Sequence, residues 1–291
     1  MLLIENIFEK YSQSIETALY RVLERLGPQK HNLREPIEYS LLSGGKRIRP
    51  LIIFIIANSI GKKYDVSEAA VALELVHTST LIADDLPCMD DDRERRNKPS
   101  LHVVFGEATA LLASYALISL SYDCLRLNAK EFRNKEGSDK ADLVYNLVLE
   151  NLAFNTGVFG VLGGQHEDLF MDDFSMEKVL QMLHKKTGAL FELAFVSGWL
   201  FGGGNVESLS ILKQIAANFG LIFQIKDDLL DLEEDLKNKE KKINYAVLFG
   251  KEQAEALIQE KFKNTLYLLK KLQVDTSELL IILDFLMNRS F

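Results

Sequence analysis

The sequence predicts an all-α protein, because apolar residues recur at three- and four-residue spacing along nearly the whole chain and strand-like alternation is almost absent. Glycines and prolines fall between the periodic segments, where they end helices. The 291 residues are 47% hydrophobic with only 5 Pro and 17 Gly, enough apolar material for one large core. No long flexible linker and no repeat of fixed period interrupts it, so residues 1–291 read as a single domain. The predicted architecture is a bundle whose central helices are apolar nearly all round.

The first helix, over 3–26, shows the helical spacing in Leu19, Val22, Leu23 and Leu26 and stops at Gly27-Pro28. Helices over 33–43 and 47–60 follow, separated by Gly44-Gly45 and closed by Gly61. A helix over 67–86 leads into an acidic run, and after Pro99 the pattern predicts helices over 100–128 and 139–156, parted by Gly137-Ser138. Gly163-Gly164 reads as another break. The remaining helices are predicted over 175–201, 206–233, 251–272 and 276–288, with Gly202-Gly203-Gly204 closing the first of them.

Composition excludes several classes. A net charge of −8 argues against nucleic-acid binding, which needs a basic face. Two cysteines, Cys88 and Cys124, make neither a disulfide framework nor a zinc site, which suits a reducing compartment. Residues 1–10 lack a basic region followed by an apolar signal core, so a cytoplasmic protein is expected. The apolar stretches 51–60 and 108–120 are too short or too interrupted by Ser to span a membrane, and are expected to be buried helices.

The chemistry is concentrated in acid. Asp84, Asp85, Asp90, Asp91 and Asp92 crowd the end of the uncharged run 75–83, and like charges this close repel unless a cation binds among them. A second cluster, Asp227-Asp228-Leu229-Leu230-Asp231, follows the largely apolar run 219–225. Asp227 and Asp231, at i and i+4, project from one helix face about 6 Å apart, as oxygen ligands of hard cations do. Asp228 stands one position aside, placed to orient the pair. In the first cluster Pro87 distorts any helical turn, and periodicity leaves Asp90, Asp91 and Asp92 open as the partner of Asp84.

Basic residues stand nearby. Gly44-Gly45-Lys46-Arg47-Ile48-Arg49-Pro50 combines close backbone approach with three cations, an anion cradle. Arg95 and Arg96 read either as anion ligands or as counter-charges of the aspartates, and Lys185-Lys186-Thr187-Gly188 as a surface pair. No Ser-His-Asp or Cys-His nucleophile arrangement stands out, and Gly202-Gly203-Gly204 lacks the lysine of a phosphate loop. Metal and cations suit a diphosphate while the apolar interior suits a hydrocarbon, which together describe a phosphorylated lipid precursor.

Over about 33–250 these motifs resemble, in order, those of the trans-isoprenyl diphosphate synthases, the farnesyl and geranylgeranyl diphosphate synthase family. The resemblance rests on Gly44 to Pro50, His77, Asp84-Asp85 with Asp90, Arg95-Arg96, Gly163-Gly164-Gln165 with Asp168, Lys186-Thr187-Gly188, Phe223-Gln224 and Asp227 to Asp231. It implies the isoprenoid synthase fold, about ten or more helices around a central apolar cavity, and it selects Asp90, leaving Asp91, Asp92 and Glu94 as expected solvated charges. By the same resemblance Asp84, Asp90 and Asp227 bind three Mg2+ ions, with Mn2+ as a substitute, and Asp85, Asp228 and Asp231 support them. Lys46, Arg49, His77 and Arg96 would hold isopentenyl diphosphate. Arg95, Lys186 and one of Lys239, Lys241 and Lys242, with Lys242 aligning best, would hold the allylic diphosphate. Thr187 and Gln224 would turn oxygen dipoles toward developing positive charge. A homodimer joined through helices is implied, with no nucleic acid and no membrane span. The rival readings are a terpene cyclase, against which the Lys46–Arg49 cradle and His77 count, and a non-catalytic regulatory subunit.

Departures from the family pattern are Ala83 in place of His, Arg93 and Asn97 in place of Asp and Gly, and a shortened 232–244 segment followed by Tyr245-Ala246 instead of Tyr-Pro. Asn97 tolerates a left-handed turn. Product length is expected to depend on Thr80 and Ser79, four and five positions before Asp84 and thus about one turn, roughly 5.4 Å, down the helix. Both are small, which predicts growth past farnesyl to geranylgeranyl diphosphate unless Val76, Leu111 or Tyr115 forms a deeper floor. Replacing Ser79 with Tyr should then shorten the dephosphorylated products on chromatography, and an unchanged profile would sink this cavity reading.

Overall fold

The computed structural model describes residues 2–28, 33–237 and 243–288, and within them helix dominates. In chain order the helices are α1 (Leu2–Arg25), α2 (Arg34–Leu41), α3 (Ile48–Ser59) and α4 (Ser67–Asp84). A hairpin follows, β1 (Glu94–Arg95) paired antiparallel with β2 (Lys98–Pro99). Then come α5 (Leu101–Phe105), α6 (Glu107–Glu136), α7 (Ser138–Thr156), α8 (Val161–Phe170) and α9 (Met176–Leu183). A π-helical turn, His184–Gly188, leads into α10 (Ala189–Phe201). The chain closes with α11 (Leu209–Leu230), α12 (Leu232–Asp235), α13 (Tyr245–Phe249), α14 (Lys251–Leu269) and α15 (Ser277–Met287).

The apolar pattern explains the layering. Every residue of α10 is buried, so that helix forms the axis of the bundle, with α3, α4, α7 and α11 packed around it. Phe195 of α10 stacks edge-on against Phe219 of α11 at 5.1 Å, and Phe201 meets Phe132 of α6 at 6.2 Å. Where α10 crosses α3, Gly198 and Gly202 allow backbone contact: a Cβ at Gly198 would stand 2.7 Å from the Ile53 carbonyl oxygen. The outer helices α6 and α7 bury only one stripe. By length and composition alone, α6 and the run 138–170 are apolar enough to cross a membrane, but their buried stripes pack on α4 and α10.

Most predicted helices are present, with instructive differences. The expected helix over 100–128 is divided at Gly106, whose φ of +82° suits glycine, and continues to Glu136. The helix expected to run to 86 stops at Asp84, where Pro87 follows. The Gly163-Gly164 break is corrected: both glycines lie inside α8, because neighbouring backbone comes so close to Gly164 that no side chain fits. The helix expected over 175–201 contains the π-helical turn, and α13, capped by the Asn244 side chain on the Val247 N–H, was not predicted.

Candidate active site

The ends of α4 and α11 face a cavity of about 470 Å³. From the first come Asp84 and, beyond the helix, Asp90, Asp92 and Arg95; from the second come Gln224, Asp228 and Asp231. Lys186, Asp168, Glu234, Asp235 and Asn244 complete the polar wall, and Leu81, Met182 and Leu183 are apolar members of the lining.

The turn after α4 resolves what periodicity leaves open. The Asp90 N–H donates to the Asp84 carbonyl at 2.9 Å, which folds the chain back so that Asp90 lines the cavity with Asp84, whereas Asp91, at φ +51°, is not part of the lining. Asp92, expected to be a solvated charge, instead lines the cavity and accepts from Arg95 at 2.8 Å, a correction that follows from the hairpin bringing Arg95 back over it. Arg95 also donates to the buried Asp85, which is thereby turned into a structural counter-ion. The hairpin turn places Arg96 and Asn97 at φ +55° and +60°, the left-handed turn that Asn97 tolerates.

Asp228 is held from several sides. Gln224 Nε2 donates to its Oδ1 at 2.9 Å, the Tyr245 N–H to its Oδ2 at 2.8 Å, and Asn244 Nδ2 to its carbonyl at 2.8 Å. Thr187 Oγ1 donates to Gln224 Oε1 at 2.7 Å, so the π-helical turn, α11 and the segment entering α13 form one hydrogen-bonded chain. Lys186 Nζ reaches Asp168 at 2.5 Å, and Lys185 pairs with Glu167; the surface pair expected at Lys185-Lys186 is instead two tethers to α8. Asp227 is half-buried on α11 and is not among the cavity-lining residues, and its charge bears on Arg49. Lys239, Lys241 and Lys242 lie outside the described residues.

Apart from the cavity lining, a cluster of basic groups gathers around His77. Arg49 Nη1 lies 3.2 Å from His77 Nε2, and Arg49 stands over the Phe191 ring at 5.2 Å. Arg96 donates to the Gly44 carbonyl, and its guanidinium fills the place a Cβ at Gly45 would take, 2.4 Å from its central carbon. Lys46 is exposed between these groups in sequence. Burial, followed by Arg49, Arg96, Arg47 and Arg95, drives His77 well below its ordinary value, so it is neutral near pH 7. Arg49 is lowered to about 10 by burial.

Several contributors escaped the sequence reading. Glu74, 1% exposed, is one: Arg47, read from sequence as a cation of the anion cradle, instead pairs with it and donates to the Leu41 carbonyl, so it anchors the cradle from below. A lone acid in an apolar helix, three residues before His77, was the available signal. Asn244 was missed because its role depends on contacts across the fold. Ser79 and Thr80 are not among the cavity-lining residues: the Ser79 carbonyl accepts from Ser114 Oγ at 3.0 Å, which holds α4 and α6 together there. Leu111 and Tyr115 are exposed on α6 and form no floor within this chain.

Burial raises Asp84 to about 7, with Lys186 opposing the shift and Asp90 adding to it; burial likewise raises Asp228 to about 6. Asp84 has Asp90 and Asp85 for acidic neighbours and Asp228 has Asp227 and Asp235, carboxylate oxygens of the kind that bind hard cations. Among the described residues no three such groups already converge to enclose an ion. The two acidic walls instead face each other, which suits ions sharing a bound anion between them.

The polyprenyl synthetase family model matches residues 30–251. The farnesyl diphosphate synthase of Geobacillus stearothermophilus is 38% identical over 79% of this chain and 76% of its own length. The geranylgeranyl diphosphate synthase of Cyanophora paradoxa is 34% identical, covering 99% of this chain and 97% of its own. Among solved structures, a geranyltransferase from Legionella pneumophila superposes with a TM-score of 0.85 at 29% identity, covering 99% and 98% of the two chains.

A folded-state value above the ordinary carboxylate value means the folded chain keeps the Asp84 proton to higher pH than the unfolded chain, so stability is lost as pH rises from about 4 through about 7. The depressed His77 acts oppositely, costing stability as pH falls below its ordinary value. Comparing wild type with Asp84→Asn isolates the first effect. In cation-free buffer the thermal-midpoint advantage of Asp84→Asn should grow between about pH 5 and about pH 7 and level off above. A pH-independent difference contradicts the burial of Asp84.

Proposed function

The chain belongs to the polyprenyl synthetase family and is a short-chain trans-prenyltransferase, and from that premise we propose that it joins isopentenyl diphosphate head to tail to an allylic diphosphate, with geranylgeranyl diphosphate as main product. The observation that carries this is the pairing of two kinds of group, a cavity walled by carboxylates with Lys186 and Arg95, and a cationic cluster of Arg49 and Arg96 with His77. Two diphosphates with different partners need two such sets of groups.

In this reading Asp84, Asp90 and Asp227 would hold three Mg2+ ions, with Asp85, Asp228 and Asp231 supporting them. The hydrogen bonds already made to both oxygens of Asp228 favour a supporting role for it. The family works with a divalent metal, which when bound offsets the charge of the departing diphosphate. Arg95 and Lys186 hold that diphosphate beside it. Lys46, Arg49, His77 and Arg96 hold isopentenyl diphosphate, whose double bond attacks the allylic carbon as the carbon–oxygen bond breaks. Thr187 and Gln224, fixed by their mutual hydrogen bond, present oxygen lone pairs to the positive charge. Loss of a proton from the new cation to the released diphosphate completes the balance, so no side-chain base is required.

Farnesyl diphosphate is the competing product, favoured by Leu81, Met182 and Leu183 lining the cavity where Ser79 and Thr80 do not. We also place the enzyme in the cytoplasm as one all-α domain acting as a homodimer. The exposed Leu112, Tyr115, Phe154, Phe159 and Leu162 on and around α6, α7 and α8 favour a second copy covering them.

Purified protein with Mg2+, labelled isopentenyl diphosphate and dimethylallyl, geranyl or farnesyl diphosphate tests the reading. Elongation to a twenty-carbon product supports it, fifteen-carbon arrest selects farnesyl, and no elongation with any primer favours a non-catalytic subunit. Asp84→Ala and Asp227→Ala should each depress turnover by about 3 kcal/mol, the loss of one preorganised stabilising group. Normal turnover in both refutes the metal assignment.

A further inference from the structure

The π-helical turn His184–Gly188 carries Lys186 and Thr187, and two helices press on its backbone. A Cβ at Gly164 of α8 would stand 2.4 Å from the Lys186 amide nitrogen and 2.7 Å from its Cα. A Cβ at Gly220 of α11 would stand 2.6 Å from the Cα of Gly188. Both obstructions are backbone atoms, so no side-chain rotation relieves them.

One turn beyond each glycine, the same helix sends a side chain to the same segment. Asp168, four residues after Gly164, holds Lys186 Nζ at 2.5 Å, and Gln224, four residues after Gly220, accepts from Thr187 Oγ1 at 2.7 Å. Residues at i and i+4 share a helix face, so each helix offers a flat contact and a tether on one stripe. A π-helical turn widens the helix by one residue per turn and has poorer packing of its own, so its shape depends on its neighbours.

We propose that Gly164 and Gly220 are positioning residues for the condensation: by admitting α8 and α11 to backbone contact, they fix the π-helical turn so that Lys186 and Thr187 face the allylic substrate. The proposal rests on the prenyltransferase reading. It assigns the two glycines a kinetic role separate from general packing, which the α10–α3 crossing can control for. Gly198 also meets backbone, at Ile53, but away from the cavity.

The test compares Gly164→Ala, Gly220→Ala and Gly198→Ala, with kinetics corrected for the folded fraction and amide hydrogen exchange followed over 184–188. Moving the turn by about 1 Å should lower kcat by about 100-fold in the first two, with KM for isopentenyl diphosphate unchanged and exchange at 184–188 accelerated. Gly198→Ala should lower the thermal midpoint and leave kcat within a few-fold of wild type. Unchanged kcat in both Gly164→Ala and Gly220→Ala, or an equal loss in Gly198→Ala, overturns the positioning role. If both cavity-side variants fail to fold, wild-type exchange decides: amides 184–188 as protected as those of α10 support the grip, and fast exchange there overturns it. An inactive wild type with a protected turn would sink the enzymatic reading while leaving the grip on this segment intact.

Discussion

Carboxylates at the C-terminal ends of two buried helices are the constraint on which the site depends. Asp84 is the last residue of α4, and Asp227, Asp228 and Asp231 occupy the last turn of α11 and its cap. A helix C-terminus already carries partial negative charge, so acids there are doubly unfavourable where a Lys or Arg would be stabilising. Burial compounds this at Asp84, lifting it to about 7. The irregular parts of the fold answer that charge. The β1–β2 hairpin returns Arg95 to Asp85 and Asp92, the π-helical turn brings Lys186 to the cavity, and the entry to α13 donates the Tyr245 N–H to Asp228. Under the proposed function, a bound cation would offset further charge at Asp84 and Asp90, which line the cavity.

Burial first, and then Arg49, Arg96 and Arg47, hold His77 well below its ordinary value, so positive charge gathers around it. In the proposed reaction one diphosphate would be met by these fixed cations and the other by protein cations together with metal, an asymmetry that would distinguish the group that leaves from the group that stays. The buried Glu74 beneath Arg47 offsets part of the positive charge and holds the cradle's backbone in place.

Much of this was legible in the sequence because helices with apolar stripes advertise themselves. The limits of α3 and α7, the end of α10 and the breaks at Gly44-Gly45, Gly61 and Gly137 followed from spacing and turn chemistry. The two acidic clusters were legible for a related reason, since charge at the end of an apolar run is conspicuous. What escaped depended on tertiary contact. Gly163-Gly164 looks like a break until Lys186 is seen against Gly164, and no local rule signals that α9 widens into a π-helical turn. The partnership of Asp84 with Asp90 rests on a hydrogen bond across a non-helical turn, which helical periodicity cannot express. Asn244 matters only because α11 and α12 both end beside it, binding Asp228 and Asp235 to one amide. Helix spacing points to Ser79 and Thr80 for product length, but neither lines the cavity, whose apolar wall includes Met182 and Leu183 brought in from α9.

The central claim is that the two acidic walls become a metal site only when a diphosphate bridges them. Calorimetric titration of Mg2+ into the protein, with and without a non-ionisable allylic diphosphate analogue, measures this directly. Binding at least tenfold tighter in the presence of the analogue, and lost in Asp84→Ala, is the predicted result. Equally tight Mg2+ binding without the analogue, or none with it, would contradict the account.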